Sequence, residues 1–528
     1  MKSKKDAYPM RNFLGLAPLF LPAILAACGS VKPTNQTAVD LKISGPISSQ
    51  YHHLAENPYG QGLLHAGFIV GIEKTERELL GVPERTDGYC QNFNDYPHDG
   101  REKRCPPFQN SSGEVDKRTG LLDKHLVEVT DDGSPMFVSH ILEYRPDPGV
   151  NGASQPRMET RVVYNIHPSF LGGQQVVKSD VAVEVDRKRL DNGGERDGYY
   201  HEGWQALRKR LKPSVVTRLR KARKDGRPYT HLVVGAMGWD NDQVESVRRY
   251  NALLGNTIAQ ARESGSAEGQ AFNPLFIGIT WPSVWSVDGY LDIAKVVAKL
   301  VGYGVKADDA DEIGYTYANW LVNDLALDAK ARNPGLKVVV LGHSFGARIT
   351  SRAAFSGHLL KRSAWAEREH VDLLVGLQAA FSANRFIGGK AFSGDADDLP
   401  DPKCVACGPG LEGAPYAGLD DFGGQEFGGQ VVMTWSKHDG ANPLAYLISR
   451  AAHMGGDRGF EEASKVRAVP FFDLVGRKQV GSDGVLEACG DQSGKVQMVD
   501  ASNFILDHND MLKTATGRFL WSVIDCYD

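Results

Sequence analysis

Three things are scarce in this 528-residue sequence: excess charge of one sign, paired cysteine motifs and internal repetition. Lys and Arg number 60 against 65 Asp and Glu, a net charge of −5. So mild a balance argues against binding nucleic acid or another polyanion as the main work of the chain. One Cys-x-x-Cys pair, Cys404/Cys407, is present; no second pair completes a metal site and no thioredoxin-like strand precedes it. It reads as a structural bridge in a loop, with a redox or half-zinc motif as the alternative. No metal and no organic cofactor is implied. The apolar stretch from Phe13 to Ala27 is about 15 residues and contains Pro18 and Pro22. That is short of the ~20 residues a membrane-spanning helix needs.

What precedes and follows that stretch reads as targeting. Lys2, Lys4, Lys5 and Arg11 form a basic start, and the run ends Leu25-Ala26-Ala27-Cys28-Gly29. This ending resembles the lipobox of bacterial lipoproteins. The resemblance implies residues 1–27 as a signal peptide, cleavage before Cys28 and lipidation of that cysteine. With Gly29 rather than an acidic residue next, it implies the outer membrane where the host has one. The alternative is an ordinary secretory signal with a chance cysteine. Six cysteines remain: Cys90, Cys105, Cys404, Cys407, Cys489 and Cys526. An even number in an exported chain reads as disulfides, with neighbours in sequence as the simplest pairing.

Residues 28–130 read as a tether followed by an irregular N-terminal region, rich in Gly, Pro, Asn and Asp from about 60. Two strand-like runs follow, at 136–144 and 160–167. The basic stretch Arg208 to Arg227 sets Val215, Val216, Leu219 and Ala222 on one helical face and Lys and Arg on the other. That polar face is either solvated surface or a contact for lipid headgroups. Beyond it, five short apolar runs at 229–239, 273–283, 336–344, 371–381 and 430–439 alternate with helix-capable segments at 242–261, 311–331 and 348–369. Near-continuous apolar strands separated by helices predict an α/β fold with a doubly wound, mostly parallel sheet covered on both faces. The expected domain spans 131–528, with an irregular N-terminal extension before it. A Gly-rich insertion at 384–430 is long enough to act as a lid.

The run "KVVVLGHSFGAR" carries Gly-His-Ser-Phe-Gly at the end of a strand and just before a helix. With 58 glycines in the chain the five-residue pattern alone is weak; the strand–turn–helix setting is what strengthens it. Such a turn strains the serine backbone, and flanking residues with a Cβ would collide. It also aims a helix N-terminus at the hydroxyl of Ser344. A serine needs a base, and the base an orienting acid, in the chain order Ser, acid, His. Asp439, at the end of "QVVMTWSKHD", fits the acid, or is a turn-forming Asp-Gly residue. His508, before the last helix, fits the base; His453 is its rival. Asp507 and Asp510 beside it either tune its proton affinity or cap the helix. Oxyanion donors are expected at Phe345 and at Gly238 or Trp239. Trp281 and Trp285 either line an acyl pocket or pack.

In this order, "GAMGWDND", "GITWPSVW", "VVVLGHSFGAR", "TWSKHDGA" and "DHNDML" resemble the alpha/beta-hydrolase superfamily. They are most similar to its branch with V-H-G-[FY]-N-N, F-S-W-P-S and [AG]-H-S-[MF]-G motifs. The resemblance covers residue 226 or so to the end. It departs at Met237, where that branch has His. It implies a serine esterase or lipase-like enzyme acting on an ester-type small-molecule or lipid substrate, held at a membrane by its anchor, with no nucleic acid partner. Lipase, thioesterase, amidase and acyltransferase share this machinery, so the substrate does not follow. A noncatalytic envelope lipoprotein that keeps the scaffold as a binding surface is the rival reading. Another is an N-terminal region that docks envelope partners.

Overall fold

The computed structural model describes residues 34–35, 62–74, 136–146, 158–165, 203–239, 241, 243–283, 285–286, 306–307, 309–311, 313–356, 370–386, 428–441, 453–457, 459, 472–473, 480–486 and 496–527. The signal segment, Cys28, most of the Gly-rich insertion and five of the six remaining cysteines lie outside these residues. The expected cleavage, lipidation and cysteine pairing therefore lie outside them as well.

Ten strands form one sheet among the described residues. In chain order they are β1 (Gly67–Lys74), β2 (Met136–Pro146), β3 (Met158–Asn165), β4 (His231–Ala236), β5 (Pro274–Thr280), β6 (Lys337–His343), β7 (Leu373–Leu377), β8 (Gln430–Trp435), β9 (Phe472–Asp473) and β10 (Val496–Asp500). Their order across the sheet is β9-β10-β8-β7-β6-β4-β5-β1-β2-β3. Every pair from β9 through β1 is parallel, while β2 runs antiparallel to both β1 and β3. Strands β4, β5 and β7 are buried at every position, as the near-continuous apolar runs require of a sheet covered on both faces.

Alternate residues of each strand feed two separate cores. Leu232 and Val234 of β4 and Val338 and Val340 of β6 face one side. There they meet α1 (Lys212–Lys224), the helical stretch that ends in α3 (Leu327–Arg332), and α4 (Phe345–Ala354). Val233, Val339 and Leu341 face the other side, against α2 (Gln243–Glu263) and α5 (Thr514–Tyr527). This is a doubly wound, mostly parallel mixed sheet with flanking helices. In α1, Val215 and Leu219 are buried and Arg220, Lys221, Arg223 and Lys224 are exposed, as expected of that stretch, but Arg218 turns inward to the buried Glu143, 3.9 Å away. Where a single helix over 311–331 is expected, the chain makes wide turns at Gly314–Ala318 and Trp320–Ala326 before α3.

One expectation needs correction. The region between about 60 and 130 is not wholly irregular: β1 lies inside it and pairs in parallel with β5 and antiparallel with β2. The sheet thus takes a strand from the segment read as an extension. Phe68, Ile69, Val70 and Ile72 are buried, and pairing on both edges supplies the order that their Gly- and Pro-rich surroundings do not.

Candidate active site

From β4 the chain crosses to β5 on one side, then returns to place β6 on the other. The carboxyl ends of β4 and β6 therefore flank a topological switch point, where a doubly wound sheet opens a crevice. Ser344 follows β6 there, and Gly238 follows β4. Ser344 has φ 55° and ψ −123°, a strained conformation for a residue with a side chain. The turn is fixed on both sides: Ser344 N–H donates to Leu377 O at 3.0 Å, and Ser344 O accepts from Ala347 and Ala380 N–H at 3.0 and 3.2 Å. A Cβ at Gly346 would lie 2.0 Å from Ala236 O, and one at Gly342 would lie 2.3 Å from Ala347 Cα. The collisions expected of the flanking positions are thus present, and they explain both glycines.

Phe345 is the first residue of α4, where backbone N–H groups lack intrahelical acceptors. Gly238 packs directly on the serine: a Cβ there would sit 2.6 Å from Ser344 Cβ and 3.0 Å from His343 O. Two side chains set the orientation of this loop. Trp281 Nε1 donates to Met237 O at 2.8 Å, and Asn241 Nδ2 donates to Gly238 O at 2.9 Å and Trp239 O at 3.0 Å. In a trans peptide the N–H points opposite to the carbonyl. The N–H groups of Gly238 and Trp239 therefore face away from Trp281 and the Asn241 amide. Ser283 Oγ completes the clamp, donating to Asn241 O at 2.5 Å and accepting from Asn241 N–H at 3.1 Å. Trp281 is buried and braces this loop through its indole, and the side chain of Trp285 lies outside the described residues. At 237 the buried side chain packs in the core, and the carbonyl, held by Trp281, sets the direction of the Gly238 N–H.

Asp439, one turn beyond β8, is buried, and His508 Nδ1 donates to both its carboxylate oxygens, at 2.9 Å to Oδ2 and 3.0 Å to Oδ1. Oδ1 also accepts from Ala441 N–H at 3.0 Å, which locks the carboxylate orientation. The pairing puts the imidazole proton on Nδ1 and leaves the Nε2 lone pair available. His508 keeps 19% of its side chain exposed, enough to be reached from solvent. Its side-chain bonds among the described residues go to Asp439 and not to Ser344. His508 nevertheless sits against the serine turn: its ring centroid is 4.9 Å from that of His343, the residue before Ser344. His438 is exposed and turned elsewhere. His453 bridges to Ser382 beyond β7. Asp507 and Asp510 act as turn caps: Asp507 Oδ1 accepts from Asn509 N–H, and Asp510 Oδ2 from Leu506 and Asp507 N–H.

Sequence reasoning missed Asn241, Ser283 and His343. Each lies inside a quoted motif, but Asn241 and Ser283 hold each other across 42 residues and His343 reaches His508 across 165. Among the described residues no group of three or more His, Cys, Asp or Glu side chains is arranged to hold a metal ion. A cavity of about 1000 Å³, lined by Glu143, Arg145, Arg161, Arg218, Lys221 and Tyr229 among others, lies by the chain entering β4 rather than by Ser344.

No protein-family model matches this chain, and a search of curated proteins finds no match. The class of protein is therefore read from the architecture alone. The strand order, the parallel pairing and the flanking helices are those of an alpha/beta-hydrolase-like scaffold in its coarse outline.

Proposed function

We propose that this chain is a serine hydrolase that cleaves carboxylic esters through an acyl-enzyme. Ser344 Oγ attacks the carbonyl carbon and its proton passes to His508 Nε2. The N–H groups of Phe345 and of Gly238 or Trp239 receive the oxyanion. Collapse of the tetrahedral adduct breaks the ester C–O bond, and the alcohol leaves with the proton from His508. Water, deprotonated by the same imidazole, then releases the acid and regenerates Ser344. Asp439 holds the ring in the Nδ1–H form and stabilises it when protonated.

The observation that carries this reading is the two-oxygen grip of Asp439 on His508, with that ring 4.9 Å from the ring of His343, the residue before the strained Ser344. The absent Ser–His bond is compatible with it, because such bonds are often long before substrate binds. Export and anchoring through Cys28 belong to the same proposal, resting on the lipobox-like sequence; so does a lid role for 384–430. The test is labelling of the purified mature protein with a fluorophosphonate probe, beside Ser344→Ala and His508→Ala. Labelling that both substitutions abolish supports an activated serine. A folded parent that never labels would replace this reading with the noncatalytic scaffold.

A further inference from the structure

His343, the residue between Gly342 and Ser344, is buried and does two things at once. Its Nε2 donates to the backbone carbonyl of His508 at 2.8 Å, across 165 residues of sequence, and its ring lies 4.9 Å from the His508 ring at 45°. Its Nδ1 is also buried and has no hydrogen-bond partner among the described residues. We propose that His343 is a positioning residue that locks the base-bearing turn to the strand that carries the nucleophile. This rests on the serine hydrolase reading given above.

The argument is geometric. Ser344 and His508 come from β6 and from the turn before α5, elements with no covalent link nearby. A hydrogen bond from the residue adjoining Ser344 to the main chain of His508 fixes the two α-carbons relative to each other. Asp439 fixes only the ring. Other tethers of the turn among the described residues run from Ser436 Oγ to Ile505 O at 2.6 Å, from Arg249 Nη1 to Asn509 Oδ1 at 2.9 Å and from Asn256 Nδ2 to Leu512 O at 3.1 Å, and none of these reaches the residue next to Ser344. The donor must also be neutral, since a cation this close to His508 would oppose the charge that ring acquires when it takes the serine proton. Burial first, then the neighbouring His508 and Arg249, drive the His343 pKa well below the ordinary imidazole value, so the ring remains uncharged. The charged or titratable groups around the pair are Asp439 at the end of β8, Arg249 with its partner Glu245 on α2, and Asp507, Asp510 and Lys513 on the turn itself.

Two variants separate the hydrogen bond from the packing. His343→Phe keeps a ring against His508 and removes the donor; His343→Gln restores an N–H near the Nε2 position. The full mature protein is labelled with a fluorophosphonate, and the downfield proton resonance of the His508 Nδ1–H to Asp439 bond is followed by NMR. His343→Phe is expected to slow labelling tenfold or more and to broaden that resonance into exchange with water, with circular dichroism unchanged. His343→Gln is expected to stay within about threefold of the parent and to keep the resonance. Parent-like labelling and resonance in His343→Phe would overturn the proposal. So would equal losses in both variants, which would mean that the imidazole shape matters and the donor does not. If the parent never labels, the hydrolase reading fails, while the resonance still decides whether His343 holds the turn.

Discussion

On one face of the sheet, α4 leaves Ser344 with every residue from Phe345 to Ala354 buried, and Arg348 and Arg352 on it converge with Arg385 on the buried carboxylate of Asp311. On the other face, the turn that carries His508 leaves Leu506, Asp507 and Asn509 exposed and hangs on a few hydrogen bonds. The Ser344 side is over-determined because a serine at positive φ persists only where its surroundings leave it no alternative. The His508 side is lighter, and on the proposed reading that suits an imidazole that must receive and return a proton, which needs orientation and access more than burial. The difference assigns different penalties to damage on the two faces.

The largest penalty is expected at Asp311. Its carboxylate takes Arg348 Nε and Nη2 at 2.9 and 2.7 Å and Arg385 Nη1 and Nη2 at 2.6 and 2.7 Å. Removing one member of a buried ion cluster leaves charge uncompensated and costs about 3–5 kcal/mol. Domains hold only ~5–15 kcal/mol in total. Asp311→Ala is therefore expected to shift the urea midpoint far down or to unfold the protein, read by circular dichroism. Acid should act in the same direction. Burial by itself would raise the Asp311 pKa, but Arg348, Arg385 and Arg352 outweigh it and hold the carboxyl well below the usual range. The unfolded chain therefore takes up that proton first. The contribution is complete above the ordinary carboxylate value, near ~3.9, and is lost as pH falls toward the lower folded value.

Second in size is Gly238→Ala, which tests how closely the two loops meet. The new methyl would be 2.6 Å from Ser344 Cβ and 3.0 Å from His343 O, so a strained backbone would have to give way. Overpacking of this kind costs about 1–3 kcal/mol. The protein should still fold, with a melting temperature lowered by a few degrees, while fluorophosphonate labelling falls at least tenfold. A variant that folds and labels like the parent would show that Gly238 does not define the space in front of the serine.

How much of this was legible beforehand depends on whether a residue acts locally or through a distant partner. Strands β4 to β8 declare themselves because burial on both faces makes them continuously apolar. Ser344, Asp439 and His508 were placed by strand ends and chain order, and the structure brings Asp439 and His508 together. Strand β1 was missed because "GFIVGIEK" is a short run in Gly- and Pro-rich sequence, ordered by pairing with residues about 70 and about 210 positions away. Strand β10, "VQMVD", interrupts its apolar run with Gln497 and is likewise fixed by its neighbours β8 and β9. Asn241 reads as a turn residue and His343 as a variable position of a motif. Asn241 is held in its place on the loop by Ser283, 42 residues away, and His343 acts through a contact 165 residues away.

The smallest expected effect sharpens the comparison from the lighter face. Asn509→Ala removes the bond from Arg249 Nη1 but leaves Arg249 paired with Glu245 through Nε at 2.8 Å, so no charge is orphaned. A partly exposed hydrogen bond of this kind contributes about 0.5–1.5 kcal/mol. Stability should fall by no more than that, and labelling by no more than a few-fold, because His343 and Ser436 still hold the turn. Combined with His343→Phe, the loss in labelling should exceed the product of the two single losses, since both bonds restrain one short segment. Simple multiplication of the two losses would mean that the bonds act independently. The turn would then be held as firmly as α4, and the contrast between the two faces would not stand.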